Sequence, residues 1–158
     1  MAVTTDIVAS WRNPRASVRR HLARGVSEPF AFTLLMVFLV VAFVGQWPQA
    51  SREAFLAGEP SAAPRILARA FAVLATLPFW YILAAVSRLT ARLMGGQGSW
   101  YSARISLFWA LATVSPLMLL QGLVAGMIGQ GAAYGATTLL VGVAFFYLWL
   151  SMLYETEH

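Results

Sequence analysis

Four long apolar runs fill most of this 158-residue chain and constrain its fold more than any other feature. They extend over about residues 30–47, 66–87, 105–128 and 136–153. Each is about 18 residues or longer, which is the length an α-helix needs to cross about 30 Å of hydrocarbon at 1.5 Å per residue. The sequence therefore predicts an all-α integral membrane protein in which residues 27–158 form a four-span helical bundle.

Composition supports a membrane protein and excludes several kinds of site. Hydrophobic residues make up 59% of the chain and charged residues 11%, whereas soluble domains carry about 25% charged residues. The chain has no cysteine, which excludes disulfides, thiolate nucleophiles and cysteine-ligated metals. Its net charge of +5 comes from arginines beside the spans, so we expect anionic lipid rather than nucleic acid as the partner.

Residues 1–26 form a basic segment with one apolar stripe at helical spacing. Several arginines fall mainly off this stripe, so the segment is predicted to be an amphipathic helix lying in the membrane interface. The alternative is a solvated basic arm that only sets topology. Pro14 should divide the segment, with Asn13 capping a second helix that Gly25 ends. The stripe is Ile7, Trp11, Pro14, Val18 and Leu22; the predicted headgroup-binding arginines are Arg12, Arg15, Arg19, Arg20 and Arg24.

Local signals also predict where the first span begins and ends. Ser27 is a suitable N-cap residue, and Trp47 followed by Pro48 is typical of the interfacial end of a span. Residues 50–57 are then expected to form a short, separate surface helix.

The distribution of arginine predicts the orientation. With four spans, both ends of the chain lie on the same side of the membrane. That side carries eight arginines, five in the N-terminal segment and three at Arg88, Arg92 and Arg104; the opposite side carries Arg52, Arg65 and Arg69. Because arginine is enriched in cytoplasmic loops, both termini are predicted to be cytoplasmic.

The loop after the second span contains Gly95-Gly96-Gln97-Gly98, which resembles a phosphate-binding loop only superficially. It lacks the Gly-Lys-Ser/Thr ending of a P-loop and no strand precedes it, so a flexible turn is expected. Three arginines around this loop are further candidates for lipid-phosphate contact: Arg88, Arg92 and Arg104.

Two prolines lie inside predicted spans. Pro78 and Pro116 should kink their helices, and their similar surroundings (Leu74–Pro78 and Leu111–Pro116) are compatible with an inverted repeat around a midplane site. The alternative is two independent packing kinks, in which Thr76, Thr113 and Ser115 satisfy backbone groups.

Gly122-x-x-x-Gly126 in the third span predicts a close helix–helix contact, either within the bundle or between copies of the chain.

No residue pattern predicts catalysis, a metal or a cofactor. His21 and His158 have no carboxylate at a useful spacing, and all six acidic residues lie outside the predicted spans. Because ion-coupled carriers usually place an ionisable group within the membrane, this arrangement disfavours an ion-driven transporter as well as an enzyme.

Several short segments resemble a known family. They are Asp6–Arg15, Gly45–Pro48, Trp100–Arg104 and Leu107–Ala110, and they resemble short bacterial, alphaproteobacterial-like members of the Yip family of small polytopic membrane proteins. The resemblance implies a helical membrane protein with a cytosolic N-terminal segment. The eukaryotic members act in vesicle traffic and several bind Rab GTPases, but that partner does not carry over to a bacterial chain, and the resemblance assigns no site residue.

The sequence favours a non-enzymatic interaction or organising protein of the bacterial inner membrane, acting through helix contacts and anionic lipid. One alternative is a small transporter or lipid-translocating protein with a site near Pro78 and Pro116. A second is an accessory subunit of a larger membrane complex. A homo-oligomer is compatible with each of these functions.

Overall fold

A computed structural model of the protein describes residues 3–158, and within that range it contains helices and no strands. Four segments are long and apolar enough to cross a membrane: Glu28–Leu56, Ala63–Leu93, Trp100–Met127 and Ala132–Glu157. The prediction of an all-α, four-span membrane bundle is confirmed. The helices are α1 (Val3–Arg12), α2 (Pro14–Leu22), α3 (Glu28–Leu56), α4 (Ala63–Ala75), α5 (Leu77–Leu93), α6 (Trp100–Met127) and α7 (Ala132–Glu157).

Helix α6 is the axis of the bundle. From Tyr101 to Ser115 every residue except Arg104 is buried. Helices α3 and α7 pack along α6 most extensively, α5 packs on it as well, and α1 and α2 cover its N-terminal end. A helix that is apolar all round is expected to be buried, and here protein encloses the first half of α6, whereas Leu119, Leu120 and Leu123 in the second half are exposed.

Helix starts follow local capping chemistry. The Oδ1 atom of Asn13 accepts a hydrogen bond from Ala16 N at 3.1 Å, and Ser27 Oγ accepts one from Phe30 N at 3.4 Å, so both predicted N-caps are confirmed. Ser99 and Ser102 form a reciprocal capping box, each hydroxyl accepting from the other residue's backbone N–H at 2.9 Å. This box starts α6 at Trp100, earlier than the apolar pattern predicted.

Helix α3 does not end at Pro48, which corrects the sequence prediction. It continues through the proline to Leu56 and includes the residues expected to form a separate surface helix. The extension carries Arg52 to the C-terminal end of α6, where its guanidinium donates to the Met127 carbonyl oxygen at 3.1 Å. Pro48 has no backbone N–H, so α3 lacks one hydrogen bond at this position. A cation beside the last carbonyls of a helix is favourable, so the Arg52 contact offsets part of this loss.

The second span is divided rather than gently kinked. Helix α4 ends at Ala75, and α5 starts at Leu77 with Pro78 in its first turn. Between them, Thr76 Oγ1 donates to the Val73 carbonyl oxygen at 2.6 Å and accepts from the Trp80 indole N–H at 3.0 Å. Helix α4 packs on α3 and α5 on α6, so the two halves of this span have different neighbours.

Candidate functional site

One end of the bundle gathers α1, α2, the loop of residues 94–99 and the end of α7; we call it the arginine end. Here α2 packs on α7, with Arg19 Nε 3.2 Å from Glu155 Oε1 and the Arg15 guanidinium 5.2 Å from the centre of the Tyr154 ring. The N-terminal and C-terminal parts of the described chain therefore meet at the same end.

The apolar stripe of α1 and α2 faces the bundle. Val18 is fully buried in the core, and Ile7, Trp11 and Leu22 pack against that core. The sequence correctly identified the stripe, but protein covers most of it rather than lipid. Helices α1 and α2 are thus held at the arginine end by packing and not by lipid alone.

A buried chain of polar groups ties these helices to α6. The Trp109 indole N–H donates to Ser10 Oγ at 2.9 Å. Ser10 Oγ lies 2.8 Å from Ser17 Oγ, and Arg20 donates to that same Ser17 oxygen at 2.8 Å. Sequence analysis missed Ser10, Ser17 and Trp109, because they meet only after α1 and α2 fold back on α6, where Trp109 is 99 residues from Ser10.

His21 lies beside this polar chain and is almost completely buried. Its ring centre is 4.2 Å from that of Trp109 and 5.5 Å from that of Phe30, and its Nδ1 has no hydrogen-bond partner among residues 3–158. Burial lowers the pKa of His21 to about 4; the cations Arg24 and Arg20 act in the same direction, and Asp6 opposes them. His21 is therefore a neutral core residue near neutral pH.

The structure separates the eight predicted headgroup arginines into two sets. Four form ion pairs: Arg19 with Glu155, Arg20 with Asp6, Arg88 with Glu157, and Arg104 with Glu28. The other four have no acidic partner within residues 3–158: Arg12, Arg15, Arg24 and Arg92. All four of these are exposed at the arginine end, and we call them the free arginines.

The glycine-rich loop after the second span packs against the end of α7. It encloses the carboxylate of Glu157, which accepts from Gly98 N at 3.0 Å and pairs with Arg88 at 2.9 Å. A Cβ built on Gly98 would lie 2.7 Å from Glu157 Oε1 and 2.6 Å from the Thr156 carbonyl oxygen. The glycines therefore allow the loop to close on the end of α7, and we call this arrangement the Glu157 cradle.

An open groove runs between α5 and α7 and ends at the Glu157 cradle. Its volume is about 460 Å³. Both helices pack on α6 but not extensively on each other, and the Arg88–Glu157 ion pair is their one polar link in the described chain. The deeper wall is apolar, and the outer end includes polar groups. The apolar wall includes Leu83, Val86, Trp149, Leu150 and Leu153; the polar lining is Ser87, Thr90, Glu157 and His158.

The two proline positions do not meet at a cavity. Pro78 and Pro116 are both exposed on the outside of the bundle, and neither lines the α5–α7 groove. Ser115 Oγ donates to the Leu111 carbonyl oxygen at 2.9 Å, as expected for a hydroxyl beside a proline, but buried Thr113 Oγ1 has no partner in the part of the chain that the structure describes. This arrangement gives no support to a midplane site.

The two glycines of the third span face α3. Gly122 lies against Gly45, and Gly126 lies against Pro48. This contact is internal to the bundle, so these two positions are not on a surface that a second copy could use.

Comparison with models of known protein families gives a match over most of the chain. The family model of the Yip1 domain matches residues 8–156, which is nearly the whole chain. No curated protein and no solved structure matches it.

Proposed function

Because this chain belongs to the Yip family and is a multi-pass membrane protein, we propose that it is a non-enzymatic organising protein whose arginine end binds anionic lipid. We place that end at the cytoplasmic face of a bacterial inner membrane, with both termini inside. The supporting argument for this orientation is the excess of arginine, since such residues favour the cytoplasmic side.

The observation that carries the lipid proposal is the set of free arginines. The arginine end contains eight arginines and four carboxylates, whereas the opposite end contains three arginines and two carboxylates. Most of the chain's net charge of +5 therefore lies at the arginine end. Each arginine near an anionic surface contributes about 1 kcal/mol, so the four free arginines together would give a clear and salt-sensitive preference.

Helix contacts are the second part of the proposed role. Helix α7 and the second span leave most of their apolar side chains exposed on the outside of the bundle, for example Leu139, Val143 and Phe146 of α7. These faces are available to lipid or to partner helices, either from a second copy or from a larger complex. The buried face of α6 is not available, because α3, α5 and α7 already cover it.

Lipid selectivity of the full-length protein tests this proposal. The purified protein is titrated in detergent with phosphatidylglycerol or phosphatidylcholine, at low and high salt, and bound lipids are counted by native mass spectrometry. We expect at least a tenfold preference for phosphatidylglycerol at low salt, which the Arg12→Gln, Arg15→Gln, Arg24→Gln, Arg92→Gln variant loses. The matched control replaces Arg52, Arg65 and Arg69 at the opposite end by Gln and should keep the preference. An unchanged preference in the first variant would overturn the proposal.

A further inference from the structure

The groove between α5 and α7 has the length of one membrane leaflet. Its lining on α5 extends from Leu83 to Met94, which at 1.5 Å per residue is about 16 Å. That is about half of the 30 Å hydrocarbon core. Helix α5 starts in the middle of the second span and ends at the arginine end, so the groove crosses one leaflet only.

The polarity of the lining follows the same direction. The deep residues Leu83 and Leu150 are apolar, and the polar residues Thr90 and Glu157 lie towards the arginine end. The order matches that of a phospholipid, in which an acyl chain lies below a polar headgroup.

The groove remains open because α5 and α7 make few contacts with each other. The Arg88–Glu157 ion pair links α5 and α7 at the outer end, while below it the helices are separated and each packs on α6. A volume of about 460 Å³ inside a bilayer does not stay empty; it lies within the usual range of ligand sites, about 300–1,000 Å³.

We propose that this groove is a binding site for one acyl chain of a phospholipid from the leaflet at the arginine end, with the headgroup held beside the Glu157 cradle. Binding here rests on shape and apolar burial, whereas the proposed attraction at the free arginines rests on charge. The site would hold an individual lipid in a fixed place on the protein, in addition to the general enrichment of anionic lipid around that end.

Retention of lipid in detergent tests the site. The full-length protein is reconstituted in phosphatidylcholine nanodiscs, re-extracted in mild detergent at high salt and examined by native mass spectrometry. We expect one retained phospholipid per chain. Leu150→Trp should fill the groove and reduce retention at least fivefold. Leu140→Trp is the matched control, since Leu140 is on the same helix and 52% exposed, compared with 54% for Leu150, but does not line the groove.

A second pair of variants on the other wall keeps the test independent of one substitution. Val86→Trp lines the groove and should also displace the lipid, whereas Ile82→Trp, exposed on the same helix but outside the groove, should not. Retention that is equal in all four variants, or absent in the wild type, would overturn the proposal. A dimer without lipid that dissociates on Leu150→Trp would show that a second copy fills the groove instead and would equally overturn it. High salt removes the electrostatic contribution, so failure here is distinguishable from failure of the arginine proposal.

Discussion

Gly122 of α6 and Gly45 of α3 lie backbone to backbone, so that a Cβ on Gly122 would stand 2.7 Å from the Gly45 carbonyl carbon. One turn later Gly126 meets Pro48 in the same way, with a Cβ-to-backbone-carbon distance of 2.9 Å. The obstructing atoms are backbone atoms of Gly45 and Pro48 and the Cβ of the rigid Pro48 ring, so no side-chain rotation can make room. The two helices can pack this closely only with glycine at these positions.

Gly122→Ala should therefore destabilise the bundle by about 3 kcal/mol, at the upper end of the cost of overpacking. Gly142→Ala is the control, since a Cβ there would meet nothing within 4 Å and alanine favours a helix. Unfolding of both variants in mixed micelles, followed by circular dichroism, measures the difference. Equal stability of the two variants would contradict the proposed close contact.

Glu157→Gln should leave Arg88, whose side chain is 11% exposed, without a counter-charge. Breaking a buried pair in this way costs about 3 kcal/mol. We also expect faster hydrogen exchange in residues 94–99, because the Glu157 cradle would open. Glu155→Gln provides the comparison: its partner Arg19 is 65% exposed, so the loss should stay below about 1 kcal/mol. A similar effect of both substitutions would show that the cradle does not hold the loop.

Stability should fall as the pH decreases from 7 to 5, because of His21. Its pKa is about 4 in the folded protein and about 6.5 when exposed, so in this interval the unfolded state binds the proton and the folded state does not. The full effect, reached only below pH 4, is on the order of 3 kcal/mol. Thermal unfolding midpoints at pH 7, 6 and 5 should show this trend, and His21→Leu should remove most of it. A slope that His21→Leu leaves unchanged would contradict this explanation.

The orientation can be tested with single cysteines, because the natural sequence has none. Val26→Cys lies in the exposed connection at the arginine end, and Ala57→Cys lies in the exposed loop at the opposite end. In intact bacterial spheroplasts, a membrane-impermeant maleimide should label Ala57→Cys and should reach Val26→Cys only after lysis. The reverse pattern would place the arginine end outside.

The features that sequence analysis predicted correctly depend on residues that are close together in the sequence. Span number follows from run length, and the starts of α2 and α3 follow from Asn13 and Ser27, whose capping hydrogen bonds close over three residues. The Pro48 prediction failed because the rule that proline stops a helix ignores what lies beyond it, here a favourable contact of Arg52 with α6. Pairings over long sequence distances were also not predictable, such as Arg88 with Glu157, 69 residues apart.

The same reasoning explains why the eight arginines predicted to bind headgroups fall into two sets, four paired with carboxylates and four not. Their charge alone does not show which of them has a folded partner. Arg104 is next to no acid in sequence, yet it pairs with Glu28 at the start of α3. Arg92, four residues after Arg88 on α5, has no acidic partner among the described residues. The free arginines could be identified only once the bundle placed the six carboxylates.

The central position of α6 also has a consequence for the order of assembly during synthesis. Helix α6 is covered partly by α3 and α5, which precede it in the chain, and partly by α7, which follows it. A nascent chain that stops after α6 would leave one side of this helix facing lipid. The bundle can close on that side only when α7 has been inserted, so chains truncated before α7 should remain unassembled and become substrates for membrane proteases.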